Sequence, residues 1–133
     1  MSISLNHTVV PARNKRASAE FLAGILGLAV GEPIGPFIPV SIGSMSLDYA
    51  DIDFADRGVT EVVAQHYAFE VDEQSFDRIF ERIVAAGLRY YAEPHVPHRF
   101  GEINTSRCGG RAVYFDDPDG HVIEVMTTTQ TGA

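Results

Sequence analysis

The chain of 133 residues predicts a mixed α+β fold built from two similar halves. Three observations carry this. Each half reads strand, helix, strand, strand, strand. Local segments match between the halves: Leu5-Asn6-His7-Thr8-Val9-Val10 parallels Ala64-Gln65-His66-Tyr67-Ala68-Phe69, and Met45-Ser46-Leu47-Asp48-Tyr49 parallels His121-Val122-Ile123-Glu124-Val125. The composition, 45% hydrophobic and 21% charged, is that of a chain able to bury a core.

In the first half, residues 3–10 alternate and then run β-branched, which predicts a strand ended by Pro11. Ser18 is the expected helix cap, followed by Phe21, Leu22, Ile25 and Leu26 at helical spacing and by Gly27 as the stop. A short strand over 28–32 and a loop with Pro33, Gly35 and Pro36 follow. Strands over 37–42 and 45–50 are joined at Gly43-Ser44, and 51–62 is a polar loop. In the second half, 65–71 alternates as a strand. Asp72 caps a helix over 73–86 whose inner face holds Phe76, Ile79, Phe80, Ile83 and Val84, and Gly87 ends it. Residues 88–92 form a strand, 93–110 a long loop of the kind that carries function, and 111–116 and 121–127 a pair of strands joined by Asp117-Pro118-Asp119-Gly120. The expected layout is one domain over 1–133, with module one at about 3–53 and module two at about 64–128.

Charge and cysteine content narrow the function. The formal net charge of −8 argues against nucleic acid and anionic membranes as partners. No apolar run reaches the roughly 20 residues that span a bilayer, and the first residues lack the basic and apolar regions of a signal peptide. A cytoplasmic protein is expected. A single cysteine, Cys108, excludes an intramolecular disulfide framework.

The duplicated placement of chemistry-bearing residues points to a metal. His7 and His66 occupy equivalent places in the first strand of each half, and Asp48 and Glu124 sit between apolar residues in the last strand of each. Glu124 reads either as an outward strand residue or as an acid needing a partner, since a buried carboxylate is costly unless paired or metal-bound. Two imidazoles and a carboxylate, His7, His66 and Glu124, form a set that leaves positions open on Fe(II), Mn(II), Zn(II) or Ni(II). Asp48 reads equally as a fourth ligand or substrate contact and as a carboxylate at the edge of the polar loop.

Three segments resemble the vicinal oxygen chelate superfamily, which includes glyoxalases, bleomycin-resistance proteins and extradiol dioxygenases. They are Leu5-Asn6-His7, His66-Tyr67-Ala68-Phe69, and Val113-Tyr114-Phe115-Asp116-Asp117-Pro118-Asp119-Gly120-His121-Val122-Ile123-Glu124. The resemblance covers roughly residues 3–128. It implies paired βαβββ modules that form incomplete barrels around a cleft, with metal ligands at His7, His66 and Glu124. It also implies a homodimer with shared sites, in which His7 of one chain joins His66 and Glu124 of the other.

The ligand set matches the dioxygenase branch, with Fe(II), slightly ahead of lyase, isomerase or thiol-transferase chemistry on a small oxygen-chelating substrate. Leu-Asn-His and His-Tyr-Ala-Phe also look like fosfomycin-modifying thiol transferases. Residues Ser106-Arg107-Cys108-Gly109-Gly110-Arg111-Ala112 depart from the Ser-rich potassium loop of those enzymes, and the tail ends before their basic substrate contact. The alternative is a dimeric bleomycin-resistance-like protein that sequesters a small molecule without turnover.

Further candidates are Tyr114, which either hydrogen-bonds a metal-bound oxygen or packs in the sheet, and His98 or His95 as a general acid or base, each with a surface reading beside it. Arg107 and Arg111 are expected to hold a substrate carboxylate, unless Arg111 pairs with Asp116 or Asp117. His121 is expected to face solvent. No base is placed by sequence to activate Cys108.

Overall fold

The register of two parallel strand pairs, one in each half, organises the chain. The structure is a computed structural model and describes residues 1–107 and 109–127, with only the backbone of Arg107. The chain divides into two units, Met1–Val63 and the part from Ala64 onward. The described residues carry two sheets and two helices, a mixed α+β architecture without a closed barrel among them.

The first unit comprises β1 (His7–Ala12), α1 (Lys15–Leu26), β2 (Ile38–Ile42) and β3 (Met45–Asp51). Its sheet has the order β1-β3-β2, with β1 parallel and β2 antiparallel to β3. Three expectations change. The first strand starts at His7 rather than at residue 3, because His7 pairs with Ser46 and β3 begins only one residue earlier. It then runs through Pro11, which an edge strand tolerates because an outward-facing nitrogen there needs no ladder donor. The strand expected over 28–32 reduces to one bridge between Val30 and Val40.

The helix cap is Asn14, not Ser18: its Oδ1 accepts the Ala17 N–H at 3.0 Å, and Ser18 is buried within the helix. The added turn, Lys15–Ser18, carries no large apolar residue, so hydrophobic periodicity could not reveal it. Gly27 ends α1 at φ 76°, and Gly43 turns the β2–β3 hairpin at φ 57°. Val10, Ala12, Ile38, Val40, Leu47 and Tyr49 bury one face of the sheet beneath Ala19, Leu22, Ala23 and Ile25 of α1. By strand alternation, His7, Val9, Ser46 and Asp48 share the other face.

The second unit comprises β4 (His66–Glu70), α2 (Glu73–Ala85), β5 (Tyr90–Tyr91), β6 (Asn104–Arg107), β7 (Gly110–Asp116) and β8 (Val122–Met126). The sheet order is β4-β8-β7-β5, with β6 also on β7 and β4 parallel to β8. Asp72 caps α2 by accepting the Ser75 N–H at 2.7 Å, which holds its carboxyl below the usual carboxylate range. Phe76, Ile79 and Ile83 are buried, whereas Val84, expected on the inner face, is exposed. The segment 93–110 is less irregular than expected. It contains β6, and residues 99–101 fold back on β5 through Ala92 N–H to Arg99 O (3.2 Å) and Gly101 N–H to Tyr90 O (2.9 Å).

The turn after β7 is set by Asp117, whose Oδ1 accepts the N–H groups of Asp119 and His121, each at 2.9 Å. His121, expected at the surface, is fully buried. Its Nδ1 accepts the Gln65 N–H at 2.9 Å and its ring lies edge-on to Tyr67, which a solvent-facing side chain would forgo. Among the described residues no helix is long and apolar enough to cross a membrane.

The internal repeat is carried in the ladders. His7 pairs with Ser46 and Val9 with Asp48; His66 pairs with Val122 and Ala68 with Glu124. Asp48 therefore stands to His7 as Glu124 stands to His66.

Candidate metal centre

His66 opens β4, and Glu124 lies mid-way along β8, an interior strand of its sheet. The parallel register brings both to one face, and His66 Nε2 lies 3.0 Å from Glu124 Oε1. The Glu124 side chain is 3% exposed and that of His66 43% exposed. An acid this deep in a sheet is costly unless compensated, and the imidazole supplies one partner. Of the two readings of Glu124, the outward-facing one is therefore not realised. Among the described residues of this unit, no third His, Cys, Asp or Glu joins the pair.

Aromatic rings adjoin it on the same face. Tyr114 pairs with Glu124 in the β7–β8 ladder, is 1% exposed, and presents its ring edge-on to His66 at 6.0 Å. Tyr91 stacks on Tyr114 at 5.9 Å, and His98 stacks on Tyr91 at 4.0 Å. The Tyr91 hydroxyl donates to Asp116 Oδ1 at 2.5 Å. Burial, then this hydrogen bond and the Asp116 charge, push the Tyr91 phenol above its usual pKa, so it remains a proton-bearing donor. His98 Nδ1 lies 3.1 Å from the Glu93 carbonyl, which only accepts, so Nδ1 carries the proton and Nε2 stays available. Leu88, Arg89, Tyr91, His98, Phe100 and Asp116 line a cleft of about 350 Å³.

In the first unit, His7 is exposed, and its Nδ1 lies 2.7 Å from Asn6 Oδ1. Asp48 is half-buried and accepts the Ser46 hydroxyl at 2.5 Å. His95 is exposed.

The two arginines expected to hold a carboxylate fare differently. Arg111 turns to the helix-covered face, where its guanidinium meets Glu73 at 2.7 Å and Asp77 at 2.9 Å and lies over the Phe76 ring. Burial opposes its charge, but the hydrogen bonds to Asp77 and Glu73 prevail and raise its pKa. It pairs with neither Asp116 nor Asp117, the partners nearest in sequence. The Arg107 side chain and Cys108 lie outside what the structure describes. Sequence reasoning missed Tyr91, Asp116 and Arg89 as cleft residues. Strand alternation relative to Tyr114 would have found the first two, because Tyr91 pairs with Tyr114 and Asp116 lies two residues along the same strand.

The donor types that converge on this sheet face, the His66 imidazole and the Glu124 carboxylate, fit a divalent ion.

A family model described as the Glyoxalase/Bleomycin resistance protein/Dioxygenase superfamily matches residues 4–125. The metallothiol transferase FosB of Shouchella clausii is 36% identical over 128 residues, which span 94% of this chain and 80% of that protein. A solved structure named oxidase ChaP-H2 superposes with a TM-score of 0.88 at 49% identity, covering 100% of this chain and 98% of that one. Lactoylglutathione lyase from Agrobacterium tumefaciens, at 19% identity and a TM-score of 0.74 over 98% of this chain and 97% of its own, shares the fold. The chain belongs to the glyoxalase/bleomycin resistance protein/dioxygenase superfamily.

Proposed function

We propose that the chain is a cytoplasmic, homodimeric, divalent-metal-dependent enzyme acting on a small substrate that presents adjacent oxygens. His7, His66 and Glu124 hold the ion, with His7 contributed by the second copy. The observation that carries this reading is the pair of His66 and buried Glu124, 3.0 Å apart on the sheet face turned away from α2. Oxidase- or dioxygenase-type chemistry ranks first, because the full-length relative at 49% identity is named an oxidase. Thiol transfer ranks second, on the 36% identity to a metallothiol transferase.

When bound, the ion supplies Lewis acidity toward substrate oxygens. The chain's own residues would do the remaining work. Glu124, fixed mid-strand and itself buried, supplies a preorganised negative charge beside His66. Tyr114 walls the site beside His66 and offers a phenol to a substrate oxygen. His98, whose Nδ1 proton is committed to the Glu93 carbonyl, can take or return a proton at Nε2. Asp48 and Arg107 remain substrate contacts in this reading, while Arg111 serves the helix–sheet interface.

The test is metal content of untagged protein after loading with Fe(II) under anaerobic conditions, or with Mn(II), followed by oxygen uptake with vicinal-diol and enol substrates. About one ion per chain is expected for a three-ligand site, absent in folded His66→Ala and Glu124→Ala variants. Oxygen uptake confined to the iron form supports the oxidase branch. Thiol consumption with the manganese form would support transfer instead. Wild-type protein that takes up no divalent ion would overturn the enzyme reading and favour a sequestering binder.

A further inference from the structure

The two candidate imidazole ligands are oriented by different devices. His66 faces the strand acid Glu124. The residue in the corresponding place of the first unit, Asp48, is one methylene shorter and is engaged by the Ser46 hydroxyl. His7 is met instead by its own neighbour, Asn6, with Nδ1 and Oδ1 at 2.7 Å. An amide oxygen only accepts, so Nδ1 of His7 carries the proton and Nε2 presents its lone pair. Asn6 is itself anchored, although it precedes β1. Its carbonyl accepts the Ser46 N–H at 3.1 Å, just as the carbonyl of Gln65, ahead of His66, accepts the Val122 N–H at 2.8 Å.

We infer that Asn6 is a positioning residue for the metal: it holds His7 in the tautomer that binds an ion through Nε2. This deepens the proposed metal reading and rests on it. Metal-ligating histidines generally donate their second ring N–H to an oxygen, and loss of that oxygen typically weakens metal binding about 10–100-fold. An Asn immediately before the histidine does this without any long-range contact. It suits a residue at the exposed start of an edge strand.

The test measures Mn(II) binding by the electron paramagnetic resonance of the free ion in wild-type, Asn6→Ala, Asn6→Asp and His7→Ala proteins. Nitrogen-15 spectra of the metal-free histidines serve as a second readout. Asn6→Ala is expected to bind Mn(II) about 10–100-fold more weakly at unchanged melting temperature. Its His7 should shift from the Nδ1–H toward the Nε2–H tautomer, and Asn6→Asp should restore binding. If His7→Ala abolishes binding while Asn6→Ala binds within twofold of wild type and keeps its tautomer, the positioning role is overturned and the metal reading stands. If His7→Ala binds as wild type does, the metal reading fails at His7 and this inference fails with it.

Discussion

The two halves share one register and differ in what they do with it. In the second unit the last-strand acid is a glutamate, nearly buried, reaching the first-strand histidine. In the first unit the acid is an aspartate, half-buried, captured by a serine two residues earlier, and the histidine turns to an asparagine beside it. One methylene and one hydroxyl separate a carboxylate that meets its histidine from one that does not. A duplicated scaffold fixes where side chains emerge, and local chemistry decides which of them form a site.

The largest expected effect separates the two acids. Glu124→Ala should abolish Mn(II) binding, whereas Asp48→Ala should leave the affinity closer to wild type than the loss of about 10–100-fold expected on removing a residue that supports a metal ligand. Equal losses by equilibrium dialysis would make Asp48 a ligand and erase the asymmetry.

The arginine of the helix-covered face provides the next contrast. Arg111→Met should lower stability by about 1 kcal/mol, the scale of a partly exposed ion-pair network, while leaving metal affinity unchanged. A denaturant midpoint at the wild-type value would show that these ion pairs add no stability, and a loss of metal would show that Arg111 serves the site after all.

Tyr91 adds a pH signature to the second unit. Its folded-state pKa lies above the ordinary value of 10.0, so the folded chain holds this proton longer than the unfolded chain does. The resulting stabilisation is complete below pH 10 and is lost as pH rises beyond it. Tyr91→Phe should therefore be less stable at neutral pH by about 1 kcal/mol, the size of one hydrogen bond, and should lose stability less steeply in alkali. Parallel alkaline unfolding curves would contradict the assignment.

The smallest effect compares the two helix caps. Asn14→Ala should cost about 1 kcal/mol at every pH, because an amide does not titrate. Asp72→Ala should destabilise at neutral pH, with the difference fading on acidification. The depressed carboxyl contributes fully above the ordinary carboxylate pKa, and its contribution is lost as pH falls through the folded value. Thermal melts of both variants between acid and neutral pH would show it.

Much of this architecture is legible in the sequence. The repeat, both helices, the Gly43-Ser44 and Asp117–Gly120 turns and the α+β class follow from local chemistry: alternation, caps and glycines at positive φ. His66 and Glu124 were legible as a pair because duplication marked equivalent places. What stayed hidden depends on long-range packing. His121 is buried because Gln65, 56 residues away, supplies its donor. Arg111 faces α2 because its ion partners lie 34 and 38 residues earlier. The strand start at His7 was hidden because it depends on where β3 begins, and the Asn14 cap because its turn carries no apolar marker.

The central claim is that the two halves supply parts of one metal centre across two copies of the chain. Mixing His7→Ala and Glu124→Ala proteins tests it most directly, after each is shown to be folded and unable to bind Mn(II). In a mixed dimer one site would lack both residues and the other would keep His7 from one copy and His66 and Glu124 from its partner. The account predicts that Mn(II) binding returns on mixing, at about one ion per mixed dimer of three-ligand sites. Mixed dimers that form and still bind no ion would contradict it.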